Sequence, residues 1–399
     1  EGNFAAFEKE LPRLKDMGVE TLWLMPITPI SHERRLGSLG SYYACSDYTA
    51  VNSEYGTIED FKQLVQSAHA SGLKVIIDWV ANHTGWDHRW TKAHPGFYRR
   101  NLDGQFFDQH GWADVIDLNY DNEELWHVML HAMRFWIKEC DIDGFRCDMA
   151  MLVPLEFWKY ARTELDKIKP LFWLAECEEI YYHEVFDVTY TWKFLHKMEA
   201  YCKKETGIAG LDEVLHYYND MFPPGALRAY FTTNHDENSH SGSEYERLGQ
   251  AAKAFAVFCC TWNGIPLIYS GQELPLTRRL KFFDKDPIEW NGKYKLHNFY
   301  KTLLTLRKTN PALKAGDAEA APVRLLNNAS HFVFVFFRKK GSNRLLVLLN
   351  LSNENKPLVH LGDPTAYGEY RNIFTGSAMR VDENTYFSLA PWEYLVLSL

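Results

Sequence analysis

The sequence predicts an α/β fold: a (β/α)8 barrel of the TIM type whose first strand would precede residue 1, with a short insertion after strand 3 and an antiparallel β-sandwich at the C-terminus. Three observations predict it. Short apolar runs alternate with amphipathic helical segments over about the first 310 residues, which is the pattern of parallel βα units. Seven such runs are found, and eight would close a barrel. Beyond Pro311 the apolar residues change from a helical period to a period of two, as strands with one buried face require. The predicted division is a barrel over 1–313, including an insertion over 84–121, and a sandwich over 314–399.

Phe4, Phe7, Leu11, Leu14 and Met17 recur at helical spacing up to Gly18, and a short strand follows at Thr21–Met25. Thr57-Ile58-Glu59-Asp60 is a capping box opening a helix with Phe61, Leu64, Val65 and Ala68 on one face. Leu73–Trp79 is a continuous apolar run, expected of a parallel strand covered on both sides. A helix over Asn122–Cys140, a strand at Asp143–Asp148, a helix near Leu155–Lys167 and a strand at Leu171–Glu176 repeat the unit. Strands at Val185–Thr189, Arg228–Thr232 and Pro266–Tyr269 complete the seven, and a helix lies near Tyr294–Lys308. The sandwich strands are expected at His331–Arg338, Arg344–Leu351, Leu358–Leu361 and Trp392–Leu399. From His83 to Asp121 runs a long aromatic connection, either functional or an inserted subdomain.

Composition excludes some classes of function. The balance of 43 Lys+Arg against 52 Asp+Glu leaves a net charge of −9 with no long basic run, so no nucleic-acid partner is expected. The longest apolar runs fall far short of the roughly 20 residues that cross a bilayer, so no membrane partner is expected either. Aromatic residues at 15% suit stacking on sugar rings but equally a large core. The seven cysteines contain no CxxC pair, read as free and mostly buried thiols, and favour a cytoplasmic, reducing compartment. A chain that opens on Glu1 rather than Met leaves room for a lost targeting signal, and with it for a periplasmic or secreted location.

In an α/β barrel the chemistry sits at the C-terminal ends of the strands. Those ends deliver Asp78 with Asn82-His83, Arg146 with Asp148, Glu176, and Asn234-His235-Asp236. Arg146 and Asp148 are two apart, hence on one side of their strand. Taken singly, Glu176 could be a helix cap, the histidines ordinary core residues, and Arg146–Asp148 a plain salt bridge. Together, without a phosphate loop, a GxSxG elbow or a Cys/His metal spacing, they fit glycosyl transfer, in which one carboxylate attacks the anomeric carbon and a second, protonated, serves the leaving oxygen.

Asp78-x-x-x-Asn82-His83, Gly144-Phe145-Arg146-x-Asp148, Glu176 and Phe231-x-x-Asn234-His235-Asp236 resemble the four ordered motifs of the alpha-amylase family of glycoside hydrolases. Tyr43-Ala44-Cys45-Ser46-Asp47 and Gly264-Ile265-Pro266…Gly271-Gln272-Glu273 resemble further segments of that family. The resemblance implies a retaining mechanism: Asp148 as nucleophile, Glu176 as acid and then base, and Asp236 as the group that holds sugar hydroxyls and stabilises the transition state. It further implies that Arg146 keeps Asp148 ionised, that His83, Asn234 and His235 bind sugar, that Asp78 positions the site and that Tyr43 stacks on the ring. No cofactor is required. Asn82 matches a calcium ligand of the family, so calcium is allowed. Met149-Ala150-Met151 stand where many endo-acting members carry a Lys and a His that serve acceptor subsites and calcium.

The expected activity is hydrolysis of α-glucosidic, mainly α-1,4, bonds in starch-derived maltooligosaccharides. Two alternatives remain open on the motifs: an α-glucan transglycosylase (a glucanotransferase, or a sucrose- or trehalose-type activity), and a non-catalytic glucan-binding homologue. The second is disfavoured because all three carboxylates are present.

Overall fold

The computed structural model describes residues 2–399. Two compact units divide the chain, Glu1–Thr189 with Leu280–Pro287, and Tyr190–Arg279 with Ile288–Leu399.

In the first unit the strands are β1 (Thr21–Leu24), β2 (Lys74–Trp79), β3 (His83–Gly85), β4 (Val115–Asp117), β5 (Gly144–Cys147), β6 (Phe172–Ala175) and β7 (Val188–Tyr190). Parallel pairing runs β1 to β2 to β5 to β6 to β7, the order expected of successive βα units. Alternation along these strands splits their two faces. Val75, Ile77, Trp79, Phe145, Cys147, Trp173 and Ala175 join one core with the surrounding helices, which leaves Asp78 and Arg146 on the opposite face. Gly144 is opposite Phe172, and a Cβ there would stand 2.0 Å from the Phe172 carbonyl oxygen. Only glycine lets β5 and β6 approach so closely.

Helices Ile58–Ala70, Glu123–Cys140 and Leu155–Leu165 cover the core face. The Thr57/Asp60 capping box forms as expected, and Asn122 caps the second helix. One helix expected over residues 4–17 is instead two, Phe4–Glu8 and Leu11–Met17. Pro12 is the reason: it has no N–H to give the preceding turn and is tolerated only in the first turn of a new helix. The connection after His83 holds the antiparallel pair β3–β4 and a short helix, Trp90–Ala93. Much of its aromatic content is packing, for Trp90 lies against Tyr48 and Phe97.

The second unit contains the parallel pair β8 (Leu227–Tyr230) and β9 (Ile265–Pro266). The strand expected over 266–269 is thus shorter and one residue earlier. Helices Trp192–Cys202, Ile208–Met221, Ala252–Thr261 and His297–Thr309 belong here too. The C-terminal strands are β10 (Val323–Leu325), β11 (Val333–Lys340), β12 (Asn343–Asn350), β13 (Lys356–His360), β14 (Gly368–Asn372), β15 (Ala378–Val381), β16 (Tyr386–Leu389) and β17 (Tyr394–Ser398). One antiparallel sheet has the order β10-β11-β12-β17-β14-β15, and β13 pairs with β16 in a second. Arg338 on β11 is wholly buried and donates to the carbonyls of Thr261, Trp262, Ala320 and Lys314, tying β11 to the end of helix Ala252–Thr261. All seven cysteines are free, six of them buried. No helix among the described residues is long and apolar enough to cross a membrane.

Asp143, just before β5, accepts from Val75 N–H (2.9 Å), His69 Nε2 (2.7 Å) and Lys74 Nζ (3.0 Å). Burial pushes its carboxyl up, but these donors more than offset it and hold the group below the usual range. A depressed pKa contributes stability above the unfolded value of about 3.9, lost as pH falls through the folded value. Asp143→Asn should therefore cost about 1–3 kcal/mol at pH 7, and the gap to wild type should narrow by pH 2; urea unfolding at both pH values measures it.

Candidate active site

Arg146 lies opposite Asp78 in the β2–β5 register and opposite Leu174 in the β5–β6 register. One residue beyond the strands, Asp148 N–H donates to Trp79 O and Glu176 N–H to Cys147 O, both at 3.0 Å. The ladder thus continues past the formal strand ends and sets both carboxylates beside Arg146.

The guanidinium reaches three carboxylates. Nη1 donates to Asp78 Oδ1 and to Asp148 Oδ1, each at 2.9 Å, and Nη2 stands 2.8 Å from Glu176 Oε2. Arg146 is 0% exposed, and Asp78, Asp148 and Glu176 are 5–6% exposed. Taking such charges out of water costs several kcal/mol per ion, which only close pairing can offset. Asp78 has two further donors at 3.1 Å, Trp23 Nε1 and Tyr43 Oη, both onto Oδ2. The faces of Trp23 and Tyr43 lie 4.9 and 5.9 Å from the guanidinium carbon, adding cation–π attraction. Burial nevertheless pushes the Asp78 carboxyl up to about 6, against the opposing pull of Arg146.

Glu176 Oε2 also accepts from the backbone N–H of Met149 at 2.9 Å, while Ala150 N–H donates to Glu176 O at 3.2 Å. Met149 makes this contact in the left-handed conformation, φ 39° and ψ 48°. A non-glycine residue held there is uncommon and stores strain.

His83 begins β3. Asn82 Nδ2, which can only donate, is 3.2 Å from His83 Nδ1, so the ring proton belongs on Nε2. Burial pulls the His83 pKa down to about 4, with a hydrogen bond to the Tyr43 backbone working the other way; the ring is neutral near pH 7. Trp112 meets it edge-to-face at 5.4 Å. Asn82 therefore orients a histidine. Calcium takes six to eight oxygen ligands, and among the described residues no three His, Cys, Asp or Glu side chains gather to hold a metal ion.

Asn234, His235 and Asp236 follow β8 in the second unit. Asn234 Oδ1 accepts from Glu237 N–H at 2.8 Å, and His235 Nε2 lies 3.1 Å from Asp236 Oδ2. Among the described residues Asn234 Nδ2 finds no acceptor although it is buried. One π-helical turn, Glu237–Ser241, comes next, a rare element that recurs at functional sites. Arg247 donates to the carbonyls of Thr232 and Gly242, both at 2.9 Å, holding the two ends of this segment. Glu244 accepts from Thr232 and Gln272, and burial pushes its carboxyl up to about 7.

In the first unit the structure therefore brings together Tyr43, Asp78, Arg146, Asp148 and Glu176, with His83 joined to Tyr43 through the backbone. Three participants escape strand-end reasoning. Trp23 has no titratable group, and its signal would have been an indole on the second residue from the end of β1. Met149 acts through its main chain and leaves no side-chain signature. Phe282, whose ring stacks parallel to Tyr43 at 6.2 Å, is 239 positions away along the chain.

A model of the alpha-amylase catalytic domain matches residues 2–101 and 96–293. The chain is 27% identical over 398 residues to alpha-amylase MalA of Haloarcula japonica, covering 93% of this chain but only 56% of that protein. It is 25% identical to a cyclomaltodextrin glucanotransferase of Thermoanaerobacterium thermosulfurigenes, over 84% of this chain and 52% of that one. This chain thus spans little more than half the length of those two relatives. The crystal structure of maltogenic alpha-amylase AmyB from Thermotoga neapolitana superimposes with a TM-score of 0.91 at 31% identity, covering 100% of this chain and 95% of that one.

With its pKa raised to about 6, Asp78 takes a proton as pH falls through that value and loosens its hold on Arg146, Trp23 and Tyr43. The wild-type kcat/KM should fall below about pH 6, and the weaker activity of Asp78→Asn should lack that limb. A pH profile from 4.5 to 8 for both proteins checks it.

Proposed function

The chain belongs to the alpha-amylase family of glycoside hydrolases, and on that footing we propose that it cleaves α-glucosidic, mainly α-1,4, bonds in starch-derived maltooligosaccharides with retention of configuration. The observation that carries this reading is the shared guanidinium: Asp148 and Glu176 hang on the two nitrogens of Arg146. A retaining mechanism needs two carboxyl groups close together, and one planar cation holding both supports that spacing.

Asp148 attacks the anomeric carbon while the bond to the leaving oxygen breaks and Glu176 gives that oxygen its proton. Glu176 then takes a proton from water, whose oxygen displaces Asp148 from the anomeric carbon. Arg146 and the Met149 N–H both engage Oε2 of Glu176, so the travelling proton is carried on Oε1. Tyr43 and neutral His83 contact the sugar on the non-reducing side, with Asp78 fixing Tyr43. Asn234, His235 and Asp236 are assigned to sugar hydroxyls and the developing charge on the strength of the family motif. The catalytic barrel is taken as 1–313 and the sandwich as 314–399, and no metal step is invoked.

A second reading, glucanotransfer, is favoured by the similarity to a cyclomaltodextrin glucanotransferase. Here another sugar hydroxyl replaces water in the second step. Chromatography of early products from maltotriose decides between them, since oligosaccharides longer than the substrate indicate transfer and only shorter ones indicate hydrolysis.

Asp148→Asn should lower kcat by at least about 1,000-fold while the thermal unfolding transition stays cooperative. Substantial residual turnover of maltooligosaccharides by that variant would overturn the assignment of the nucleophile.

A further inference from the structure

The segment that carries Asn234, His235 and Asp236 runs from the end of β8 to helix Glu244–Leu248. Two side chains of that helix reach back to Thr232, near the start of the segment. Arg247 Nη2 donates to the Thr232 carbonyl at 2.9 Å, and Glu244 Oε1 accepts from the Thr232 hydroxyl. Gln272 Nε2 lies 3.0 Å from both Glu244 Oε1 and Thr232 Oγ1 and 3.2 Å from Tyr300 Oη, and its two hydrogens are shared among these three acceptors. Gln272 is fixed in turn, for its Oε1 accepts from Tyr269 N–H at 2.7 Å. Main chain and side chain of residue 232 are thus tied to one short helix, which closes the segment at its base.

Within the segment Glu237 N–H donates to Asn234 Oδ1 (2.8 Å), Asn238 N–H to Asn234 O (3.0 Å) and Gly242 N–H to Glu237 O (2.8 Å). These bonds make the π-helical turn a stiff body, so the hold on Thr232 sets the direction in which that body leaves the strand. Glu244 is a costly group for this task. It is 3% exposed, and burial pushes its carboxyl up to about 7 although Thr232, Arg247 and Gln272 draw it down. A hydrophobic residue would fill the space without that penalty, whereas a hydrogen-bonded buried carboxyl specifies one geometry.

We propose that Glu244 is a positioning residue for bond cleavage: through the Thr232 hydroxyl it sets the path of the segment and so the placement of Asp236, which stabilises the transition state. The inference rests on the role assigned to Asp236 above. Glu244 itself is assigned no contact with sugar.

A misplaced transition-state group lowers kcat and leaves KM nearly unchanged. Thr232→Val removes the hydroxyl and keeps the shape of the side chain, and Glu244→Ala removes the acceptor. Each should lower kcat on maltotetraose about 10- to 100-fold, the cost of a misplacement near 1 Å, with little change in KM. Thr232→Ser and Glu244→Gln retain the bond and should restore most of kcat; with the carboxyl's pKa at about 7, glutamine reproduces a protonation state that is populated near neutrality. The double variant Thr232→Val with Glu244→Ala should be no slower than the slower single variant, since both break the same bond. Should Glu244→Ala fail to fold, Thr232→Val and Thr232→Ser, each with a cooperative thermal transition, decide the matter. Undiminished kcat in folded Thr232→Val, losses that add in the double variant, or losses that serine and glutamine do not restore would sink the proposal. Asp236→Asn separates it from the reading it rests on. If that variant keeps full kcat, the assignment of Asp236 fails and this inference with it; if it loses turnover while Thr232→Val does not, this inference alone fails.

Discussion

Everything at the centre of the first unit depends on one buried guanidinium. Arg146 is enclosed in the middle of the parallel ladder, and an unpaired charge there would be prohibitively costly. Its three carboxylates come from β2, the end of β5 and the end of β6. Each strand thus carries one of the carboxylates that pair with Arg146, and the register between strands becomes an electrostatic requirement as well as a packing one. A slip of one residue would turn Arg146 into the core that Phe145 and Cys147 fill. Gly144 meets the same demand sterically, by letting β5 and β6 come close enough for the ladder to run on to Asp148 and Glu176.

The charged members of this set are legible in the sequence because a carboxylate or arginine at the end of an apolar strand is costly unless it is paired or put to use. Asp78, Arg146, Asp148 and Glu176 meet that criterion, and the structure gathers all four. Trp23 does not, because an indole at a strand end is equally a core residue. Neither does Phe282, whose partner Tyr43 lies across most of the chain and whose own surroundings contain no periodic pattern. The seven βα strands are visible as apolar runs, whereas one break, at Pro12, is hidden by an apolar period that continues through it. In the C-terminal sheets the long strands β11 and β12 stand out by their alternation. The short β10, β14, β15 and β16 do not, since alternation over three to five residues is too brief to be told from turns.

In the second unit the arrangement is of another kind. Around Asn234-His235-Asp236 the segment is held at both ends through backbone carbonyls, by Arg247 donating to Thr232 and Gly242, beside the ion pair of His235 with Asp236. Arg338 works in the same manner, donating to four carbonyls. Both arginines fix chain path, Arg247 while also paired with Glu199, in contrast with Arg146, which pairs with three carboxylates.

The N–H that Met149 presents to Glu176 has a consequence for how such a site can diverge. Main-chain donors are common to nineteen of the twenty amino acids, so this hydrogen bond is indifferent to what residue 149 carries beyond its Cα, provided the left-handed turn is kept. Side chains at 149–151 can then change while Glu176 keeps this hydrogen bond. Sequence change at these three positions is thereby uncoupled from the main-chain contact that Glu176 receives.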